Sequence, residues 1–321
     1  SRPMRVYRHF NEIADEHQGG AIAIGNFDGV HLGHQAVIDT ARNIARATGI
    51  PWAVLTLEPH PRSVFQPDSE PYRLTPLRSK VRQLEMLGVD FLIVQRFDRE
   101  FSLRTAESFV RDVLVEGFSV AHIVAGYDFV FGHKRKGTCE LLLTMGHEQG
   151  FAVTAVNAVE DSGGKVYSST RVRQHLAQAA PRAAAAVLGR PFEIEGRVIH
   201  GDGRGHNLGY PTANVHMGST LRPALGIYAV RAGLLGSGDI EWHAGTASLG
   251  CRPTFGGTDI VLEVYLLDFE GELYGQRMSI ALIEYLRPEK KFDGIDELKA
   301  QSAADVEATR KILDQDDRTG P

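Results

Sequence analysis

The sequence predicts an α/β fold in which a doubly wound domain is followed by an antiparallel β domain ending in a helix. Short apolar strands alternate with amphipathic helices from residue 1 to about residue 180, which is typical of a parallel sheet covered by helices. Beyond an alanine-rich segment at 178–192, short strands with partial alternation are separated by glycine-rich turns. That second pattern is typical of an antiparallel barrel or sandwich. The length of 321 residues also favours two domains.

The N-terminal half begins with a β–α–β unit. Residues 21–25 (AIAIG) and 52–57 (WAVLTL) are predicted buried strands, and 35–49 between them is a predicted amphipathic helix. Two strands joined through a helix imply parallel pairing with a right-handed crossover. The alternation continues with predicted helices at 77–88, 105–117 and 138–150 and predicted strands at 90–97, 121–126 and 151–159.

The alternation changes where an alanine-rich helix ends at Gly189, because Pro191 prevents its continuation. We predict the domain boundary here, with domains at 1–186 and 187–321. The second domain contains predicted strands and a closing helix, at 192–201, 226–235, 240–250, 260–269 and 277–287 for the strands and 294–313 for the helix.

Composition excludes several classes of protein. The net charge of −5 and pI near 6.2 argue against a nucleic-acid binder that works through a global basic field. Cys139 and Cys251 are far apart and lack CxxC spacing, which excludes a disulfide scaffold and a cysteine-rich zinc site. No apolar run approaches the roughly 18 residues of a membrane helix, and the N-terminus lacks an apolar signal core. We therefore expect a cytoplasmic protein without membrane or nucleic-acid partners.

The stretch GNFDGVHLGHQ at 25–35 places His31 and His34 in a glycine-rich turn between a predicted strand and a predicted helix. In a doubly wound sheet such a turn binds ligand phosphates. The residues alone leave two interpretations open, namely helix caps or phosphate-binding groups. A zinc site would need further ligands, and the GxxxxGK[ST] and GxGxxG patterns are absent here.

This stretch resembles the HxGH signature of nucleotidyltransferases, and VYSSTRVRQHL at 166–176 resembles their (S)STxxR motif. The resemblance implies a Rossmann-like nucleotidyltransferase domain with catalytic His31 and His34. It implies that ATP and its phosphates are bound by Gly25, Phe27, Asp28, Gly33, Ser169, Thr170, Arg171 and Arg173.

A third segment, VAGYDFVFGHKRKG at 124–137, resembles the flavin branch of that superfamily. The resemblance implies flavin binding by Asp128, with Phe65 and Tyr127 as candidates to stack on the isoalloxazine ring. Phe27 is a further stacking candidate. Val130 stands where relatives usually carry arginine, and the basic run 133–136 either compensates for it or forms only a solvated loop.

The most distinctive stretch of the C-terminal half is GDGRGHNLGYPTANV at 201–215. Physically it is a glycine-rich hairpin whose PTAN turn presents Thr212 and Asn214, two small oxygen-bearing side chains suited to Mg²⁺ or phosphate. It resembles the glycine-rich loop and PTAN motif of riboflavin kinases, and 248–257, 262–275 and 286–301 match that family in order. The resemblance implies a six-stranded β-barrel with a C-terminal helix. It implies that Mg²⁺ is bound by Thr212 and Asn214, and that ATP and flavin are bound by Gly201, Gly203, Gly209, Pro211, Thr212, Asn214 and Arg287. His206 stands where many relatives carry arginine.

Phosphorylating the neutral primary alcohol of riboflavin requires a carboxylate to accept the proton. Glu263 matches the family's glutamate, Asp268 is the second candidate, and a plain surface carboxylate is the alternative for Glu263. The whole chain resembles the bifunctional riboflavin kinase/FMN adenylyltransferases. That implies riboflavin + ATP → FMN + ADP in the C-terminal domain and FMN + ATP → FAD + pyrophosphate in the N-terminal domain, both with Mg²⁺. The alternatives are a chain with one silent domain and a non-catalytic flavin-binding protein.

Overall fold

The computed structural model describes residues 3–199, 209–236, 238–254 and 256–319. The chain forms two compact units, one of residues 1–70 and 75–168 and the other of residues 71–74 and 169–321. The domain boundary at 186/187 stays a prediction. By packing, the helices at 169–188 group with the second unit.

The described part of the first unit contains a parallel sheet of six strands in the order β1-β4-β3-β2-β5-β6. Because β2 pairs with both β3 and β5, the direction in which successive strands are added reverses beside it. In doubly wound sheets ligands bind at such a switch point, outside the carboxyl ends of the strands. The strands are β1 (Arg5–Tyr7), β2 (Ala21–Ile24), β3 (Trp52–Glu58), β4 (Phe91–Arg96), β5 (His122–Gly126) and β6 (Ala152–Val156).

Two apolar clusters form the core of the first unit, and one contains Phe91 while the other contains Leu92. Adjacent residues of one buried strand fall into different clusters because successive side chains point to opposite sheet faces. The helices are α1 (Leu32–Thr48), α2 (Pro61–Phe65), α3 (Leu77–Leu87), α4 (Arg99–Ser102), α5 (Ala106–Phe109) and α6 (Cys139–Gln149). A π-helical segment, Val110–Gly117, continues α5.

In the described part of the second unit, six antiparallel strands close into a barrel in the order β10-β11-β8-β7-β12-β9. The strands are β7 (Phe192–Ile199), β8 (Thr212–Val215), β9 (Gly226–Leu234), β10 (His243–Thr254), β11 (Gly257–Leu266) and β12 (Arg277–Arg287). The helices are α7 (Ser169–Ala177), α8 (Pro181–Leu188) and α9 (Ile295–Thr319). This architecture confirms the predicted fold class.

Three local predictions were wrong or incomplete. The PTAN segment is not a turn, because Thr212–Val215 is strand β8, hydrogen-bonded to β11 and β7. The short edge strand β1 was not predicted. Its three residues are too few for a periodic signal. The predicted helix at 105–117 is divided into α5 and the π-helical segment.

Candidate active sites

The turn between β2 and α1 is held in an unfavourable backbone conformation. Phe27 and Val30 have φ values of 50° and 45°, and Gly29 lies between them with φ of 99°. Left-handed φ values are rare for residues other than glycine, and they persist where the surrounding contacts enforce them, often at ligand sites. Here Thr75 enforces the turn. Its hydroxyl accepts a hydrogen bond from the Gly29 N–H at 2.8 Å, and its own N–H donates to the Asp28 carboxylate at 3.1 Å.

The two histidines cap helix α1 reciprocally. The His31 Nδ1 accepts hydrogen bonds from the backbone N–H groups of Gly33 and His34 at 3.0 and 3.2 Å. The His34 Nδ1 accepts from the His31 N–H at 3.3 Å, and the rings stack with centroids 3.5 Å apart. An Nδ1 that accepts a backbone N–H carries no proton, so each neutral ring carries its proton on Nε2. Capping therefore assigns the tautomer that makes Nε2 a hydrogen-bond donor.

Gly33 and Gly25 leave space that the rings occupy. A Cβ at Gly33 would lie 2.9 Å from the His31 Cε1, and one at Gly25 would lie 3.0 Å from the Phe27 ring. Phe27 is 2% exposed and meets the His34 ring edge-on. Its side chain is therefore part of the core, which leaves it poorly placed to stack on a flavin.

Lys80 is a residue of this site that sequence reasoning missed. Its side chain, on α3, is 0% exposed. The Nζ donates to the Asn26 carbonyl at 2.7 Å, to the Thr56 hydroxyl at 3.0 Å and to the Glu58 carboxylate at 3.0 Å. Lysine is almost never fully buried unless it is paired. The available signal was a lysine on the apolar side of a predicted amphipathic helix, beside a strand that ends in glutamate.

A cavity of about 1080 Å³ opens at the carboxyl edge of the parallel sheet. Gly25 and Asn26 line it from the turn after β2. Its apolar wall is aromatic and includes Phe65, Phe97, Phe101, Phe109, Phe129 and Phe131. Basic side chains also line the cavity, and we call them its basic rim: His60, Arg62, Arg104, His133, Lys134 and Arg135. A lining that combines aromatic and basic side chains fits a planar ligand that carries phosphate.

The other predicted residues of the first site are distributed unevenly. Phe65 lines the cavity and is 62% exposed, whereas Tyr127 and Asp128 are exposed and do not belong to the described lining. Ser169, Thr170, Arg171 and Arg173 lie on α7, which packs in the second unit. The Arg173 Nε donates to the Tyr72 carbonyl at 3.0 Å.

In the barrel, the register of three strands brings the predicted kinase residues into two rows. Asn214, Glu263 and Ser248 are cross-strand neighbours on β8, β11 and β10. Thr212, Tyr265 and Thr246 form the adjacent row. Cross-strand neighbours point to the same face of a sheet, and the intervening Leu262 and Val264 are 0% exposed. The polar side chains therefore share the outer face of the barrel.

Glu263 is a buried carboxylate with a defined partner. It is 7% exposed, and the Tyr265 hydroxyl donates a hydrogen bond to its Oε1. Burial argues against the alternative that Glu263 is a plain surface carboxylate. The second candidate is different, because Asp268 is exposed and accepts hydrogen bonds from Arg310 at 2.8 and 3.1 Å. These bonds lower the pKa of Asp268, which makes it a weaker base.

Arg287 has a structural partner. Its guanidinium binds the Asp305 carboxylate through Nε and Nη2, at 3.0 and 2.8 Å, and so ties the end of β12 to α9. Both residues line a small cavity of about 120 Å³ with Tyr265. Gly209 has φ of 80° and Pro211 accepts a hydrogen bond from Leu266. Gly201, Gly203 and His206 lie outside the described residues.

Comparison with known proteins matches each half of the chain to a protein family. Residues 13–171 match the family model for FAD synthetase and residues 188–313 match that for riboflavin kinase. The bifunctional riboflavin kinase/FMN adenylyltransferase of Escherichia coli (strain K12) is 40% identical over 311 residues, which is 97% of this chain and 98% of the relative. The chain belongs to the bifunctional riboflavin kinase/FMN adenylyltransferase family. The Bacillus subtilis (strain 168) relative with the same name is 40% identical over 300 residues, covering 91% and 92% of the two chains.

A solved structure is similar to this bifunctional enzyme in fold along nearly the whole chain. It is described as a macrolide-efflux protein from Streptococcus pneumoniae, and it superposes with a TM-score of 0.82 at 31% identity over 96% of this chain and 99% of that chain. Within the described residues, no helix is both long and apolar enough to cross a membrane. The predictions of a bifunctional riboflavin kinase and FMN adenylyltransferase are confirmed.

Proposed function

We propose that His31 and His34 act in adenylyl transfer as hydrogen-bond donors to the phosphates of ATP. The observation that carries this proposal is the reciprocal cap, because it keeps the ring proton of both imidazoles on Nε2. An FMN phosphate oxygen attacks the α-phosphorus, a new P–O bond forms, and the bond to the β-phosphate oxygen breaks. Pyrophosphate leaves with that electron pair. The attacking phosphate is already ionised, so the site needs donors and positive charge, and no general base.

The cavity supports FMN as the acceptor. Phe65 and Phe129 lie in its apolar wall, where an isoalloxazine ring would be removed from water. The basic rim would meet the phosphate end of the molecule. Gly25 and Asn26 line the same cavity, so the flavin would reach the turn that leads to His31.

In the barrel, we propose that Glu263 accepts the proton of the ribityl primary hydroxyl of riboflavin. The hydroxyl oxygen then bonds to the γ-phosphorus of ATP, the bond to the β-phosphate oxygen breaks, and ADP leaves with the electron pair. Burial of Glu263 and its hydrogen bond from Tyr265 support this role, because both restrict the carboxylate to one orientation.

The oxygen atoms around Glu263 fit a magnesium ion. Thr212 is the cross-strand neighbour of Tyr265, and Asn214 is that of Glu263. The Thr212 hydroxyl donates its proton to the Tyr210 carbonyl at 3.3 Å, so the lone pairs of its oxygen are the groups it would offer to a metal ion. Mg²⁺ prefers hard oxygen ligands and is commonly held by one or two protein groups together with substrate phosphates. When bound, it would neutralise charge on the phosphates of ATP. Thr212 and Asn214 would hold it.

The experiment removes each activity separately and measures whether the other one remains. Glu263→Gln should abolish formation of FMN from riboflavin while FMN supplied directly is still converted to FAD. His31→Ala combined with His34→Ala should have the reverse effect. Flavins are separated by chromatography after incubation with ATP and Mg²⁺. A folded variant of either kind that lost both activities would refute the assignment of two sites.

The wild-type protein decides between this proposal and its alternatives. FAD formed from riboflavin supports two active sites. FMN alone indicates a silent N-terminal unit, FAD formed only from supplied FMN indicates a silent barrel, and unchanged flavin in both incubations indicates a binding protein.

A further inference from the structure

A short basic loop lies at the rim of the large cavity. Phe131 and Gly137 exchange two backbone hydrogen bonds, of 3.1 and 2.8 Å, and so close a loop of residues 132–136. We call residues 132–136 the cationic loop. His133 anchors it, because its N–H donates to the Arg104 carbonyl at 3.0 Å and its Nδ1 lies 3.2 Å from the Ser102 carbonyl oxygen.

The backbone of the cationic loop is strained at Lys134 and Arg135. Lys134 and Arg135 have φ values of 56° and 55°, and Gly132 precedes them with φ of 77°. Consecutive left-handed residues other than glycine are unfavourable, and they are concentrated at ligand sites. Because Lys134 and Arg135 both line the cavity, this strained conformation points to a ligand-binding role for their side chains.

The charges at the rim are not equivalent. Arg104 already binds the Asp112 carboxylate and donates to the Ser108 hydroxyl at 3.2 Å. Lys134 and Arg135 are exposed and form no ion pair within the described part of the chain. Val130, 43% exposed, contributes only apolar surface to the same cavity.

We infer that Lys134 and Arg135 bind the phosphate of the flavin substrate and select phosphorylated over unphosphorylated flavin at the N-terminal site. This inference rests on the proposed adenylyltransferase function. Two anions, the flavin phosphate and ATP, have to approach each other there, and nearby cations offset their repulsion. The Arg135 guanidinium can engage two phosphate oxygens at once, and Lys134 adds a point charge.

The test measures FAD formation from FMN by the full-length protein at saturating ATP. Arg135→Gln should raise the KM for FMN about tenfold and the double variant with Lys134→Gln about a hundredfold, since a hydrogen bond to a charged group is worth roughly one to two factors of ten. The KM for ATP and the rate of FMN formation from riboflavin should each change less than about twofold, because the cationic loop is assigned neither to the ATP site nor to the kinase site. Lys136→Gln is the matched control, with the same charge and exposure in the same loop but outside the cavity lining.

Two further variants separate charge from folding. Lys134→Gly with Arg135→Gly removes both charges and favours the left-handed backbone, so it should show the same rise in KM with the loop folded. Val130→Arg in the glutamine double variant should recover at least part of the loss. The dependence of kcat/KM on salt should weaken in every variant that lacks both charges.

The inference is overturned if the double variant keeps the wild-type KM for FMN, or if the KM for ATP rises equally. A wild-type protein that forms no FAD from FMN would instead refute the proposed function. The two failures are therefore seen in different samples.

Discussion

The two candidate sites differ in how their reactive side chains are held. His31 and His34 are oriented by each other and by Gly33 between them, so the contacts lie within four consecutive residues. Glu263 is flanked by Asn214 on one strand and Ser248 on another. A local arrangement can be recognised in a short stretch of sequence. An arrangement made by strand register exists only once the barrel has closed.

The variant with the largest expected effect tests whether the histidine site depends only on these four residues or also on a distant side chain. Lys80 ties the Asn26 carbonyl to β3. We expect Lys80→Met to lower FAD formation about a hundredfold and to destabilise the first unit by about 3–5 kcal/mol, because it leaves the Glu58 charge buried without its cation. The readouts are FAD formation from FMN and denaturant unfolding.

Lys311→Met is the control for that variant, because Lys311 pairs with Glu307 at an exposed site where the pair is worth about 0–1 kcal/mol. If Lys80→Met kept full adenylyl transfer, the turn would not depend on its distant support.

Gly33→Ala tests the local contacts directly. The new methyl group would press on the His31 ring, and we expect kcat for FAD formation to fall about thirtyfold with little change in the KM for FMN. Gly236→Ala is the control, because a Cβ there meets open space. Equal kinetics for the two variants would show that the position of the ring is not critical.

Tyr265→Phe tests the site made by register. Losing the hydroxyl that donates to Glu263 should lower kcat for FMN formation about tenfold, because the carboxylate gains freedom of orientation. FAD formation from FMN serves as the internal control and should be unchanged. Replacing the exposed Tyr274 with Phe should affect neither step. An unaltered kinase rate in Tyr265→Phe would mean that burial alone orients Glu263.

The first unit should also lose stability in mild acid. Burial lowers the pKa of His17 and His122 below the ordinary 6.5. As pH falls below about 6.5, the two histidines therefore take up protons in the unfolded chain more readily than in the folded unit, and the free energy of unfolding decreases. This decrease levels off at pH values below the lowered pKa values of the folded unit. Calorimetry at pH 7.5 and 5.5 should show a lower melting temperature in acid. His17→Gln with His122→Gln should reduce that difference, and an undiminished difference would assign it to other groups.

The smallest expected effect concerns Asp268. Because Arg310 holds its pKa low, Asp268→Asn should leave the rate of FMN formation within about twofold of wild type. A tenfold loss would make Asp268, and not Glu263 alone, part of the kinase machinery.

These contrasts explain what the sequence could predict. The apolar periods around Ile38 and Val54 predicted the helices and strands of the sheet, because burial there follows the local repeat. Strand β8 was predicted as a turn, because its four residues follow a proline and its partner strand β11 lies far away in the sequence. Lys80 and Tyr265 were missed for a similar reason. Their partners Asn26, Thr56 and Glu263 are identified only by packing or register.

The division of the chain into units has a consequence for separating them by cutting the polypeptide. Residues 71–74 belong to the second unit, where the Leu221 N–H donates to the Arg73 carbonyl at 2.8 Å. The polypeptide therefore passes from one unit to the other three times. No single stop codon or protease cut yields both units whole, because a break at 168/169 leaves that tetrapeptide on the wrong fragment. A second unit produced alone from residue 169 would therefore lack the Arg73 carbonyl that accepts the Leu221 N–H.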